Sequence, residues 1–158
     1  MANKVSQAVK YCNLNSSSLG PTLDFSGDGV LEQLSAGSNG LTSVDLSNCT
    51  ALIKAYLNGN SISSITVTGC AALQELELST NSLTAIDIAG LSALIYVGAT
   101  DNALPEAAVD DILAKLDTFG LSNGEVALSG GTNAIPSAAG LTSKANLEGK
   151  GWTVTVNA

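Results

Sequence analysis

Apolar residues fall at matching offsets in three consecutive 21-residue blocks, Leu41 to Ser61, Ile62 to Ser82 and Leu83 to Ala103. In the middle block they are Ile62, Ile65, Val67, Cys70, Leu73, Leu76 and Leu78, and Asn81 follows. Two stretches, Ile65-x-Val67 and Leu76-x-Leu78, alternate with period two, which predicts short strands with one buried side. A fixed period of this length predicts a solenoid, because such a unit buries its apolar side only against a stacked neighbour.

One period earlier, Leu23, Phe25, Leu31, Leu34, Ala36 and Asn39 take the same offsets, but Asp28 stands where the later blocks have Cys49 and Cys70. A carboxylate without a partner is costly to bury, so this slot is expected to be open to water. Residues 1–20 fit the period poorly, and Val5, Ala8, Val9 and Cys12 share helical spacing instead. The segment 1–21 is therefore read as an N-terminal cap or docking arm, with Lys4, Val5, Val9, Lys10 and Tyr11 as its contact residues.

Beyond Ala103 the pattern turns helical. Pro105 opens a stretch with Ala108, Val109, Ile112, Leu113 and Leu116 on one stripe, acids near its start and Gly120 at its end. An alternating strand follows at Glu125 to Ser129, then a second helix opened by Pro136, then a strand at Trp152 to Val156. Trp152, Val154 and Val156 share one side of that strand and are expected to close the core. The organisation predicted is one domain over 1–158, with short repeats at 22–103 and helix-containing repeats at 104–158.

The segment Leu73 to Leu83, LQELELSTNSL, resembles the leucine-rich-repeat signature L-x-x-L-x-L-x-x-N-x-L. The resemblance implies an α/β solenoid, a right-handed parallel β coil with strand–strand repeats first and strand–helix repeats after. It places Leu76 and Leu78 on a concave inner strand and Ile65-x-Val67 on a convex one. It also gives the Asn81 amide the task of serving backbone groups of adjacent turns. Cys49 and Cys70, at one offset in successive blocks, are similar to the cysteine ladder of internalin-type repeats. Leu91 at the same offset marks the site as a small apolar slot holding thiols rather than a disulfide.

About six inner strands, near 33–36, 54–57, 75–78, 96–99, 125–129 and 152–156, would present two outward files. One holds Gln33, Lys54, Glu75 and Tyr96; the next holds Ser35, Tyr56, Glu77 and Gly98. Tyrosine offers large contact area at low entropic cost, so two of the chain's three tyrosines on this face make it a candidate binding patch. Gln33, Lys54, Tyr56, Glu75, Glu77 and Tyr96 are its candidate residues.

Charge narrows the partner. The 158 residues carry 14 acids against six lysines, with no histidine and a net charge of −8. Clustered cations for nucleic acid are lacking, and so is the commonest general base. No apolar run approaches a membrane span, and the start has no secretory core. No cofactor, metal or catalytic residue is expected. Asp24 to Gly29 begins like a calcium loop, but Ser35 stands where the bidentate acid belongs. Gly130 to Asn133 reads as a turn. The pair Glu75 and Glu77 reads as a solvated acidic stripe, since acid–base chemistry needs a cleft.

The segments Ser129 to Asn133, Pro136 to Leu141 and Gly151 to Val156 resemble C-terminal units of leucine-rich-repeat proteins from tailed bacteriophages. That resemblance implies a non-enzymatic virion component made in the bacterial cytoplasm: a capsid decoration protein, head fibre or tail adhesin docked through its N-terminus. Its partner would be a capsid or tail protein or a host surface, with self-association through a sheet edge left open. The alternative is a free bacterial recognition module that binds protein through the concave sheet.

Overall fold

The structure is a computed structural model describing residues 3–4 and 9–158. The chain is an α/β solenoid. Short strands β1 (Asn3–Lys4), β3 (Thr22–Asp24), β5 (Ser43–Asp45) and β7 (Ser64–Thr66) pair in that order on the back. On the front, β2 (Tyr11–Asn13), β4 (Gln33–Ser35), β6 (Lys54–Tyr56), β8 (Glu75–Glu77), β9 (Tyr96–Gly98), β10 (Glu125–Ala127) and β11 (Thr153–Thr155) follow one another. Every pairing among the described residues is parallel.

The period-two pattern explains these strands. Leu34, Ala55, Leu76, Val97 and Val126 stand at the strand centres, stacked in register, each 0% exposed. Burying each leucine contributes about 1.5–3 kcal/mol, a gain realised only where the neighbouring rung covers it. The corner after β3, β5 and β7 needs a left-handed residue, and Gly27, Asn48 and Gly69 supply it with positive φ, as Gly90 does at the same offset one coil on. Asp24, Asp45 and Asp87, three residues earlier, each accept the backbone N–H two residues on at 2.8–2.9 Å.

Asparagines hold the opposite corner. Asn60 donates to Ala36 and Leu57 carbonyls, at 3.0 and 2.8 Å, and accepts the Asn39 N–H at 2.9 Å. Asn81, Asn102, Asn133 and Asn157 continue this amide ladder from coil to coil. Buried corner carbonyls thus find the partners they require.

Two expectations near the N-terminus are corrected. Cys12 lies on strand β2 opposite Leu34, and Cys12 and Leu14 both pack on the core. Period two, not helical spacing, governs there; Val5 and Ala8 lie outside the described residues. The first coil escapes a fixed 21-residue template because its register shifts, with Asn3 opposite Leu23 but Tyr11 opposite Gln33. Asp28 is 3% exposed, not open to water. Its Oδ1 accepts the Val30 and Leu31 N–H groups at 2.9 and 3.0 Å, so the carboxylate is capped by backbone.

Cys49 and Cys70 are free, buried thiols that donate to the Phe25 and Leu46 carbonyls of the preceding coil at 3.1 and 3.0 Å. Contact with Cys70, together with burial, pushes the Cys49 thiol up.

After β7 the back carries no further strand among the described residues, and from Glu106 on helices take its place. Helix α1 (Glu106–Phe119) buries Val109, Ile112, Leu113 and Leu116 and ends at Gly120. Helix α2 (Ala138–Gly149) starts two residues after Pro136 because the Ser137 hydroxyl accepts the Ala139 N–H at 3.1 Å. Asp110 of α1 accepts the Ser137 hydroxyl and, at 3.0 Å, its N–H, fixing one helix start on the other. Val126 and Val154 pair as expected. Trp152 closes the core at 4% exposure, with its indole N–H on the Leu121 carbonyl at 2.9 Å and Val154 and Val156 half-buried behind it.

Candidate functional site

The register of the front sheet sets two outward files. One runs Tyr11, Gln33, Lys54, Glu75, Tyr96, Glu125 and Thr153; the other Asn13, Ser35, Tyr56, Glu77, Gly98, Ala127 and Thr155. Over β6 to β11 they enclose a shallow depression of about 500 Å³ whose lining includes Tyr56, Glu75, Glu77, Tyr96 and Glu125.

Strand β8 is the hinge of this arrangement. Tyr56, in the second file on one side, donates its phenol to Glu75 in the first file. Tyr96, in the first file on the other side, donates to Glu77 in the second at 2.5 Å. Both rings therefore run diagonally between files. Tyr96 can do so because its neighbour in the other file on the same strand is glycine: a Cβ on Gly98 would stand 2.8 Å from the Tyr96 hydroxyl and 2.1 Å from Glu77 Oε2. The ring crosses the space a side chain would have taken.

Glu75 and Glu77 are half-buried and hydrogen-bonded, which corrects their reading as a freely solvated stripe. Lys54 Nζ sits 2.8 Å from Glu75 Oε1. Burial alone would raise the Glu75 carboxyl, but the bonds from Lys54 and Tyr56 outweigh it and hold it below its ordinary value. Glu77 has neutral donors: the Tyr96 phenol and, at 2.7 Å, the Ser79 N–H. Burial and then the carboxylate acceptors push both phenols up, Tyr96 further than Tyr56. The tyrosines are thus neutral donors across the ordinary pH range.

Of the residues read from sequence, Tyr56, Glu75, Glu77 and Tyr96 line the depression together, with Lys54 beside it on Glu75. Gln33 belongs to the same file on β4, away from the depression. Glu125, Thr153, Ile95 and Gly124 line it as well and were missed. Glu125 and Thr153 were findable, since extending the first file into the 29- and 28-residue coils reaches them. Gly124 carries a separate constraint: a Cβ there would lie 2.6 Å from the Trp152 ring and 2.7 Å from the Ile95 carbonyl.

The described N-terminal residues pair with the next coil through β1 and β2. Lys4 lies on β1 opposite Asp24, and Val5 is outside the described residues. Val9 and Tyr11 are exposed, at 47% and 67%, and Lys10 pairs with Glu32 at 2.6 Å. Strand β2 is one of the two edges of the front sheet among the described residues, β11 being the other.

No cluster of three or more His, Cys, Asp or Glu side chains among the described residues converges as metal ligands would, and no described helix is long and apolar enough to cross a membrane. No family model, curated protein or solved structure matches this chain.

Proposed function

We propose that this chain is a non-enzymatic protein-binding solenoid, a leucine-rich-repeat module that engages its partner through the seven-stranded face. The observation that carries this reading is the pair of Tyr–Glu bonds on either side of β8, which preorganises two half-buried aromatic side chains at the rim of one depression. Rings held in place before binding lose little entropy on contact, and tyrosines so placed are typical binding hot spots. The test compares proteins retained by the immobilised parent and by a Tyr56→Ala/Tyr96→Ala variant, followed by affinity measurement with the purified partner. Each tyrosine at a hot spot is worth about 1 kcal/mol or more, so the double variant should bind at least about tenfold more weakly. Unchanged affinity rejects the reading.

The N-terminal edge favours a second reading, a phage virion component docked through its first coil. Here the supporting observation is the exposure of Val9 and Tyr11 beside the unpaired side of β2, because open edges invite pairing with another chain. Val9→Asp/Tyr11→Asp, both at exposed positions, should abolish incorporation into particles while leaving the fold intact; normal incorporation counts against docking there.

A further inference from the structure

We propose that the depression over β8 to β10 seats an arginine side chain of a partner protein, its guanidinium lying on the Tyr96 ring between Glu77 and Glu125. This deepens the reading of the seven-stranded face as a protein-binding surface and rests on it.

Charge selects a cation. Glu75 is balanced by Lys54. Glu77 receives neutral donors, and Glu125, exposed and directly opposite Tyr96 in the register, makes no ion pair among the described residues. Two uncompensated carboxylates therefore flank one phenol on a chain of net charge −8 that contains no arginine of its own. The difficulty of ionising Tyr96, to which burial, Glu77, Glu125 and Glu75 all contribute, reports the same negative field.

Shape selects an organic, planar cation. The carboxylates do not converge as metal ligands would. The strands bearing Glu77 and Glu125 flank β9, each about 4.8 Å away. A flat group with donors along several edges can serve both carboxylates while stacking on the ring between them, whereas an ammonium is a point charge. Ile95, 40% exposed, borders the depression and offers apolar contact to an aliphatic stem.

The probe is a synthetic heptapeptide with two arginines among glycine and serine, compared with its lysine and citrulline counterparts by amide NMR titration of the full chain at low salt. Shifts should centre on Tyr96, Gly98 and Glu125. The arginine peptide should bind at least about threefold tighter than the lysine one, and the citrulline peptide should not bind. E125Q alters an exposed residue whose side chain makes no hydrogen bond to the described residues, so it keeps the test valid if changes at Glu77 perturb folding. It should weaken binding about threefold and E77Q/E125Q about tenfold, with E106Q on α1 as the neutral control. Equal binding of the citrulline or lysine peptide, unaltered binding by E125Q, or shifts centred elsewhere overturns the proposal. If the arginine peptide fails yet Tyr56→Ala/Tyr96→Ala still loses its protein partner, the face reading stands and only the arginine seat falls. If neither responds, both fall.

Discussion

Tyr96 donates its phenol to the Glu77 carboxylate at 2.5 Å across the position that any side chain on Gly98 would occupy. The contact between β8 and β9 therefore depends on what a third residue lacks. The clash that a Cβ on Gly98 would make is with the far ends of two side chains, which can swing away.

Gly98→Ala should accordingly cost little stability, under about 1 kcal/mol, while releasing Tyr96 from Glu77 and lowering the apparent pKa of its phenol in an absorbance titration. Gly124→Ala makes the same chemical change one strand along, but its Cβ meets the Trp152 ring and a backbone carbonyl. That substitution should cost about 1–3 kcal/mol, as overpacking does, and shift the emission of the lone tryptophan. Equal losses for the two variants would contradict this account.

The amide ladder predicts a gradient of stability losses. Asn102 is 3% exposed, donates to the Leu78 and Ala99 carbonyls and accepts the Leu83 N–H. Asn102→Ala leaves several buried groups unpaired and should cost about 2–4 kcal/mol in urea unfolding. Asn39 makes similar bonds near the end of the ladder, where water can replace them. Asn39→Ala should cost about 1 kcal/mol.

Thiol accessibility should separate the three cysteines. Cys49 and Cys70 are 0% exposed, and Cys12 is half-buried with its thiol pushed up by burial and then by Asp28. An aromatic disulfide reagent should titrate at most Cys12 in the native protein, more slowly than a free cysteine, and all three in denaturant. Rapid native reaction of two or more thiols would contradict the buried slots.

Alkaline pH should destabilise the fold through Tyr56 and Tyr96. Both phenols are raised by burial and by their carboxylate acceptors, whereas unfolded tyrosines lose their protons near ~10. Above that pH the native state holds more protons, so its stability, fully present at lower pH, falls as pH rises towards the native values. The urea midpoint at pH 11 should lie below that at pH 8, and Tyr56→Phe/Tyr96→Phe should narrow the gap. A gap of the same size in the variant would assign it elsewhere.

The coils, both helices and the amide ladder were legible in the sequence because each rests on a local rule repeated at fixed spacing. What escaped was set by departures from that spacing or by a third residue. The first coil hid because Asn3 to Tyr11 spans two residues fewer than Leu23 to Gln33, its counterpart one coil on. Asp28 looked unburiable because its partners are backbone N–H groups, which no side-chain pattern announces. Glu75 and Glu77 looked solvated because their donors sit 19 residues away on either side, and Tyr96 reaches across only where position 98 is empty.

The change of backing after β7 has a geometric result. Stacked strands repeat about every 4.8 Å, whereas packed helices sit about 8–10 Å apart. While both layers are strands, as from β3 to β7, front and rear advance at equal pitch. Once α1 and α2 replace the rear strands, the rear must advance nearly twice as far per rung as the front. That mismatch favours curvature toward the front over β9 to β11, the strands that α1 and α2 connect, where Tyr96 and Glu125 stand. The helices thus act as spacers behind the part of the face that holds Tyr96 and Glu125.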